Sequence, residues 1–123
     1  MSKPAIDHGL SDSTLMALWR KAVLQRGGQR CVVCGHGGQL ECHHVIKRRY
    51  KLLCYDWRNG VPVHQGDCHD TADKMGTGIS PMWAEYLLLQ SRWTKKGYLM
   101  QAQMSESEWR AQVKAELLRE INA

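Results

Sequence analysis

Cys31 and Cys34 form a C-x2-C pair followed at once by Gly35, His36, Gly37 and Gly38. Two thiolates on so tight a turn can converge on one ion, and the spacing is that of a zinc knuckle. Thirty residues after Cys34, the pair His64 and Cys68 adds an imidazole and a third thiolate with three residues between them. Cys31, Cys34, His64 and Cys68 make a tetrahedral Cys3His set for a structural Zn²⁺, with His36 as the alternative imidazole. A thioredoxin-like redox pair would need a strand before the cysteines and a helix starting at them, whereas these flanks are rich in glycine. An ion that closes a long loop also gives a segment poor in large apolar residues the means to fold. Cys42 and Cys54 read as free thiols.

Inside and beside this bracket stand His43, His44, Asn59 and His69. The elements that must position them are short. Residues 39–46 and 60–63 are β-type runs that suggest a hairpin-like pair, joined by a loop holding Lys47 to Asn59. Residues 67–75 crowd carboxylates into the first turns of a short helix, ending at Gly76-Thr-Gly78. Around this centre the apolar spacing predicts helices over about 12–26, about 81–94 and about 106–122. Ser11 or Asp12 caps the first, Ser80-Pro81 opens the second, and Ser105 with Glu108 forms a capping box on the third. Trp83, Tyr86, Leu87, Gln90 and Trp93 share one helical face, and Trp109, Val113, Leu117 and Ile121 another. The tryptophans therefore read as packing residues, with base stacking left for one or two of them.

The combination of His44, fourteen residues, Asn59, and His69 directly after a zinc-binding Cys68 resembles the HNH endonucleases, the ββα-metal nucleases, in the version braced by a zinc knuckle. The resemblance spans about residues 29–76. It implies an α+β fold: a small ββα-metal (His-Me finger) core held by the structural zinc, with flanking α-helices, in a single domain over 1–123. It implies a metal-dependent DNA endonuclease, with His44 the general base that takes a proton from water. His43 and His69 would be ligands of a catalytic divalent metal, Mg²⁺ or Mn²⁺. Asn59, by the same analogy, either orients His44 and braces the loop or reaches the metal. Asp73, four residues after His69 on the same helical face, is either a further ligand, an outer partner of the site or a plain helix N-terminal carboxylate. The chain departs from the commonest form where His64-x3-Cys68 replaces a second C-x2-C, which lengthens Asn59 to His69 by one residue.

The charge agrees with a polyanionic substrate. The 123 residues carry a net +5, and between Arg20 and Arg58 nine basic residues face only Glu41 and Asp56, a net +7. Lys47, Arg48, Arg49 and Lys51 follow the histidines and Arg58 precedes Asn59, so these five are the expected phosphate contacts on double-stranded or branched DNA. The rival from another class is a zinc-braced DNA-binding module or adaptor, which has no use for histidines at these intervals. A composition of 43% hydrophobic and 24% charged residues, with no long apolar run, argues against a membrane span. Residues 1–10 lack the apolar stretch of a secretory signal, and the five cysteines are an odd number, so a cytoplasmic location is expected, bacterial or phage-encoded by family habit. The outer helices either cover the core or form a homodimer face.

Overall fold

The computed structural model describes residues 10–75 and 81–123, with the backbone alone described at 73–75 and 81–82. The elements run α1 (Asp12–Arg26), β1 (Glu41–His44), a single 3₁₀ turn (Trp57–Asn59), β2 (Gly60–Val63), α2 (Asp67–Met75), α3 (Pro81–Gln90), α4 (Lys95–Ala102) and α5 (Glu106–Ile121). An α+β architecture with a two-stranded sheet follows. Among these residues no helix is long and apolar enough to cross a membrane.

The two longest helices have clear start signals. Ser11 caps α1 by accepting from the Thr14 N–H, and Ser105 and Glu108 cap α5 reciprocally in the expected box. α1 and α5 pack together through Trp19, Ala22, Val23 and Leu117, and beside them through Leu15 and Trp109 with Cys54 and Tyr55 of the central loop. Arg110 ties the pair at its edge, donating to Asp12 and to the Leu10 carbonyl.

β1 and β2 pair antiparallel with His43 opposite Val61 and His44 opposite Gly60. Side chains alternate across such a ribbon. Cys42, His44, Gly60 and Pro62 form one face, turned to α1; Glu41, His43, Val61 and Val63 form the other, turned to α2. The second face closes a small apolar cluster of Cys31, Val61, Val63 and Ala72. Gly60 is required by the first: a Cβ there would stand 2.5 Å from both the Trp19 ring and Val23. Its absence lets the indole lie flat on the ribbon.

Three expectations change. β1 covers Glu41–His44 rather than 39–46, because Val45 and Ile46 leave the ladder to bond Asn59. The helix expected over about 81–94 ends at Gln90, and a separate helix, α4, follows it, capped by Thr94. Trp93 consequently sits in the connecting turn, exposed and edge-on to Tyr98, instead of extending the α3 face. Gly76 to Gly78 and Ser80 lie outside the described residues, as does the Asp73 side chain.

Candidate metal and catalytic site

The turn after Cys31 is what brings the first two thiols together. The Gly35 N–H bonds the Cys31 carbonyl at 2.9 Å and Gly35 takes φ +78°, a conformation open to glycine at no steric cost. Cys34 is thereby turned back beside Cys31. The end of β2 supplies His64, and the first turn of α2 supplies Cys68. One donor atom from each of Cys31, Cys34, His64 and Cys68 lies within 4.8 Å of all the others. His64 Nδ1 is 3.4 Å from the Cys34 sulfur and 3.9 Å from that of Cys68. Zinc bonds of about 2.0–2.3 Å at tetrahedral angles require donor separations near 3.5–3.8 Å.

Outer contacts prepare these donors for a cation. His64 Nε2 stands 2.7 Å from the Gly37 carbonyl, which can only accept, so Nε2 carries the proton and Nδ1 keeps its lone pair. Burial opposes charge on the Cys31 sulfur, yet N–H groups of Cys34, His64 and Val33 directed at it bring its pKa down to about 6. Cys68 is pushed up to about 11 by burial and by sharing the cluster with Cys31 and Cys34. Such a cluster of thiols is compatible with a structural zinc ion, whose positive charge offsets their mutual repulsion. His36, the alternative imidazole, is exposed and outside this set.

On the same side of the ribbon, His43 and His69 converge. His43 is 8% exposed on β1, and its Nδ1 lies 3.1 Å from Nε2 of His69 on α2, with the rings edge to face. Glu41, two residues before His43 and so on the same strand face, brings a carboxylate oxygen within 4.0 Å of that His69 nitrogen. This third participant was missed by sequence reasoning, although the i, i+2 spacing to His43 was the signal.

His44 points the other way. Its ring stacks on Trp19 at 3.9 Å, nearly parallel, and its Nε2 is 2.9 Å from the Cys54 carbonyl. A carbonyl fixes the tautomer here too: Nε2 holds the proton and Nδ1 offers the lone pair. Burial first, then electrostatic repulsion from Arg48, His43 and Arg20, lowers the His44 pKa to about 4, although the Cys54 carbonyl pulls the other way. The folded protein thus holds His44 neutral where an unfolded chain, with an imidazole pKa of ~6.5, would bind a proton. Stability from this group is complete above pH ~6.5 and is lost as pH falls towards 4. A cation at His43 and His69 would push in the same direction. The wild-type protein is expected to lose more Tm between pH 7 and pH 5 than His44→Gln does; equal losses would show that His44 contributes nothing.

Asn59 braces the loop and does not face the His43–His69 pair. It is 0% exposed; Oδ1 accepts from the Ile46 N–H at 2.6 Å, while Nδ2 donates to the Ile46 and Leu53 carbonyls. One side chain thereby closes both ends of the loop whose next residue, Cys54, orients His44. Of the five expected phosphate contacts, Lys47, Arg48, Arg49 and Lys51 are exposed on that loop. Arg58 is a correction. Its guanidinium is half-buried, paired twice with Asp56, bonded to the Tyr86 hydroxyl and laid over the Tyr86 ring at 4.1 Å, so it cross-links the 3₁₀ turn to α3.

Compared with known proteins, the chain matches no family model, no curated protein and no solved structure.

Proposed function

We propose that the protein is a metal-dependent DNA endonuclease of the HNH type, with a structural zinc at Cys31, Cys34, His64 and Cys68. The observation that carries this reading is the 3.1 Å approach of His43 Nδ1 to His69 Nε2 from two different elements. Two nitrogens bound to one cation at about 2.0–2.2 Å on adjacent octahedral positions lie about 3.0 Å apart. The donor set therefore fits a divalent cation, with Glu41 supplying negative charge beside it. When bound, Mg²⁺ or Mn²⁺ would offset the charge that builds on the phosphoryl oxygens and on the departing 3′ oxygen.

The remaining chemistry belongs to the chain. His43 and His44 leave opposite faces of the ribbon but are consecutive at its last rungs, so a phosphodiester laid across the strand end would meet both. There His44 Nδ1 takes a proton from water as the water oxygen attacks phosphorus and the bond to the 3′ oxygen breaks. The Cys54 carbonyl stays hydrogen-bonded to Nε2 and supports the positive ring that results. A phosphodiester arriving beside the ring raises its proton affinity, which counters the burial that makes it a weak base. Asn59 keeps that carbonyl in place. Lys47 and Arg48 hold the flanking phosphates, independent of sequence.

Supercoiled plasmid incubated with the protein is expected to be nicked when Mg²⁺ or Mn²⁺ is added and to stay supercoiled without them. Folded, zinc-loaded protein that binds the plasmid but leaves it supercoiled in the presence of either cation would instead be a zinc-braced DNA-binding module.

A further inference from the structure

The charge surplus does not stop at the loop after the histidines. The turn between α3 and α4 lies against it, so that Arg49, Tyr50 and Lys51 on one wall and Arg92, Trp93 and Lys96 on the other line an open groove of about 500 Å³. No carboxylate lines it. Lys95 is held at its edge by Glu106 at 2.8 Å, whereas Arg49, Lys51, Arg92 and Lys96 have no acidic partner among the described residues. Four cations gathered without counter-charge repel one another, an arrangement that a polyanion relieves.

The two aromatic residues say which polyanion. Trp93 is 42% and Tyr50 37% exposed, while Trp19 and Trp109 are buried in the core. Neither completes an apolar cluster, yet both are held: Trp93 stands edge-on to Tyr98, and the Arg49 guanidinium lies 5.3 Å from the centre of the Tyr50 ring. Phosphates need only the cations. A flat ring in a basic groove gains from nucleic acid when a base is unpaired and free to stack on it. In a duplex every base face is already covered.

We propose that this groove binds a single-stranded segment of nucleic acid, with the four cations on its phosphates and Trp93 and Tyr50 as stacking platforms. Because Arg49 to Lys51 belong to the loop that orients His44, the groove would feed the candidate site. Resting on the nuclease reading, this makes DNA with unpaired bases beside the scissile bond, such as a flap or branch, the preferred substrate.

Binding is measured by fluorescence anisotropy on a labelled oligodeoxynucleotide, single-stranded and as its duplex. No divalent cation is added, and no chelator is used, since it would strip zinc. The single strand is expected to bind more tightly. Trp93→Ala should weaken it about tenfold or more and Tyr50→Ala less, with duplex affinity changed by under about twofold and Trp93→Phe largely restoring the strand. Since Trp93 also touches Tyr98, the exposed pair Arg92→Gln with Lys96→Gln gives an independent check. It should lower the salt slope of single-strand binding by about one to one and a half. Equal losses for strand and duplex in Trp93→Ala, or an unchanged salt slope in the double variant, would overturn the proposal. Absence of plasmid nicking by the wild type, with strand preference intact, would remove the nuclease reading and leave the groove standing.

Discussion

His44→Ala is expected to lower plasmid nicking by about 10²–10⁴-fold, the usual contribution of a positioned general base. The same substitution removes a ring stacked on Trp19 and leaves the Cys54 carbonyl without its donor. A stability loss of about 1–3 kcal/mol is therefore expected as well, and activity must be compared at a temperature where both proteins are folded. Added imidazole separates the two effects. A small imidazole entering the vacated space can accept the proton, so nicking by His44→Ala should recover in proportion to free-base concentration. His69→Ala should lose activity without such rescue, and should instead demand a higher Mg²⁺ concentration. Full activity in His44→Ala would remove the general-base assignment. A loss that a chaotrope reproduces in the wild type and imidazole leaves untouched would make the residue structural.

The parts legible in the sequence are those whose partners are close along the chain or announced by chemistry. α1, β2 and α2 have the expected bounds, and α5 begins at its box, because caps, turn glycines and apolar spacing are local signals. The four donors of the possible metal site were readable because thiols and imidazoles at those intervals have few other uses. α4 was hidden by Gly97 in its interior and two lysines at its start, and Thr94, the cap, was the signal overlooked. Arg58 was read by adjacency to Asn59, while Asp56 two residues earlier claims its guanidinium. Asn59 could be given either of two roles from sequence. Only the path of the loop shows that its three hydrogen bonds all go to Ile46 and Leu53. The basic groove was beyond reach for a plainer reason: Lys51 and Arg92 are far apart in the chain, and residues 59–123 carry a net −1. Summed charge hides a wall of cations that tertiary packing assembles.

Stripping the zinc is expected to dismantle the candidate site while sparing part of the molecule. Among the described residues the apolar cluster that joins the ribbon and α2 to the knuckle is small, buried Cys31, Val61, Val63 and Ala72 with half-buried Val32, Leu40 and Cys68 against them. Cys31 and Cys68 are themselves candidate ligands. Apparent binding energies of structural zinc, about 10–16 kcal/mol in small peptides, rival or exceed the whole stability of a domain of this size. The α1–α5 pair has its own interface of Trp19, Ala22, Val23 and Leu117, and an edge fixed by Arg110 on Asp12. Its helical signal should outlast the metal. Cys34→Ser, or exhaustive chelation followed by dialysis, should therefore abolish nicking and let amides of residues 31–44 and 60–72 exchange rapidly with solvent deuterium, while those of 15–23 and 109–117 stay protected. Refilling with Co²⁺ should restore the fold and give the visible absorption of a tetrahedral thiolate-rich site, one ion per chain. Because His43 and His69 belong to the dismantled part, added Mg²⁺ should not rescue the stripped protein. Unchanged protection of 31–44 and 60–72 after metal removal would mean that the four donors hold no structural ion, and that hydrogen bonds such as His64 to Gly37 suffice to close the turn.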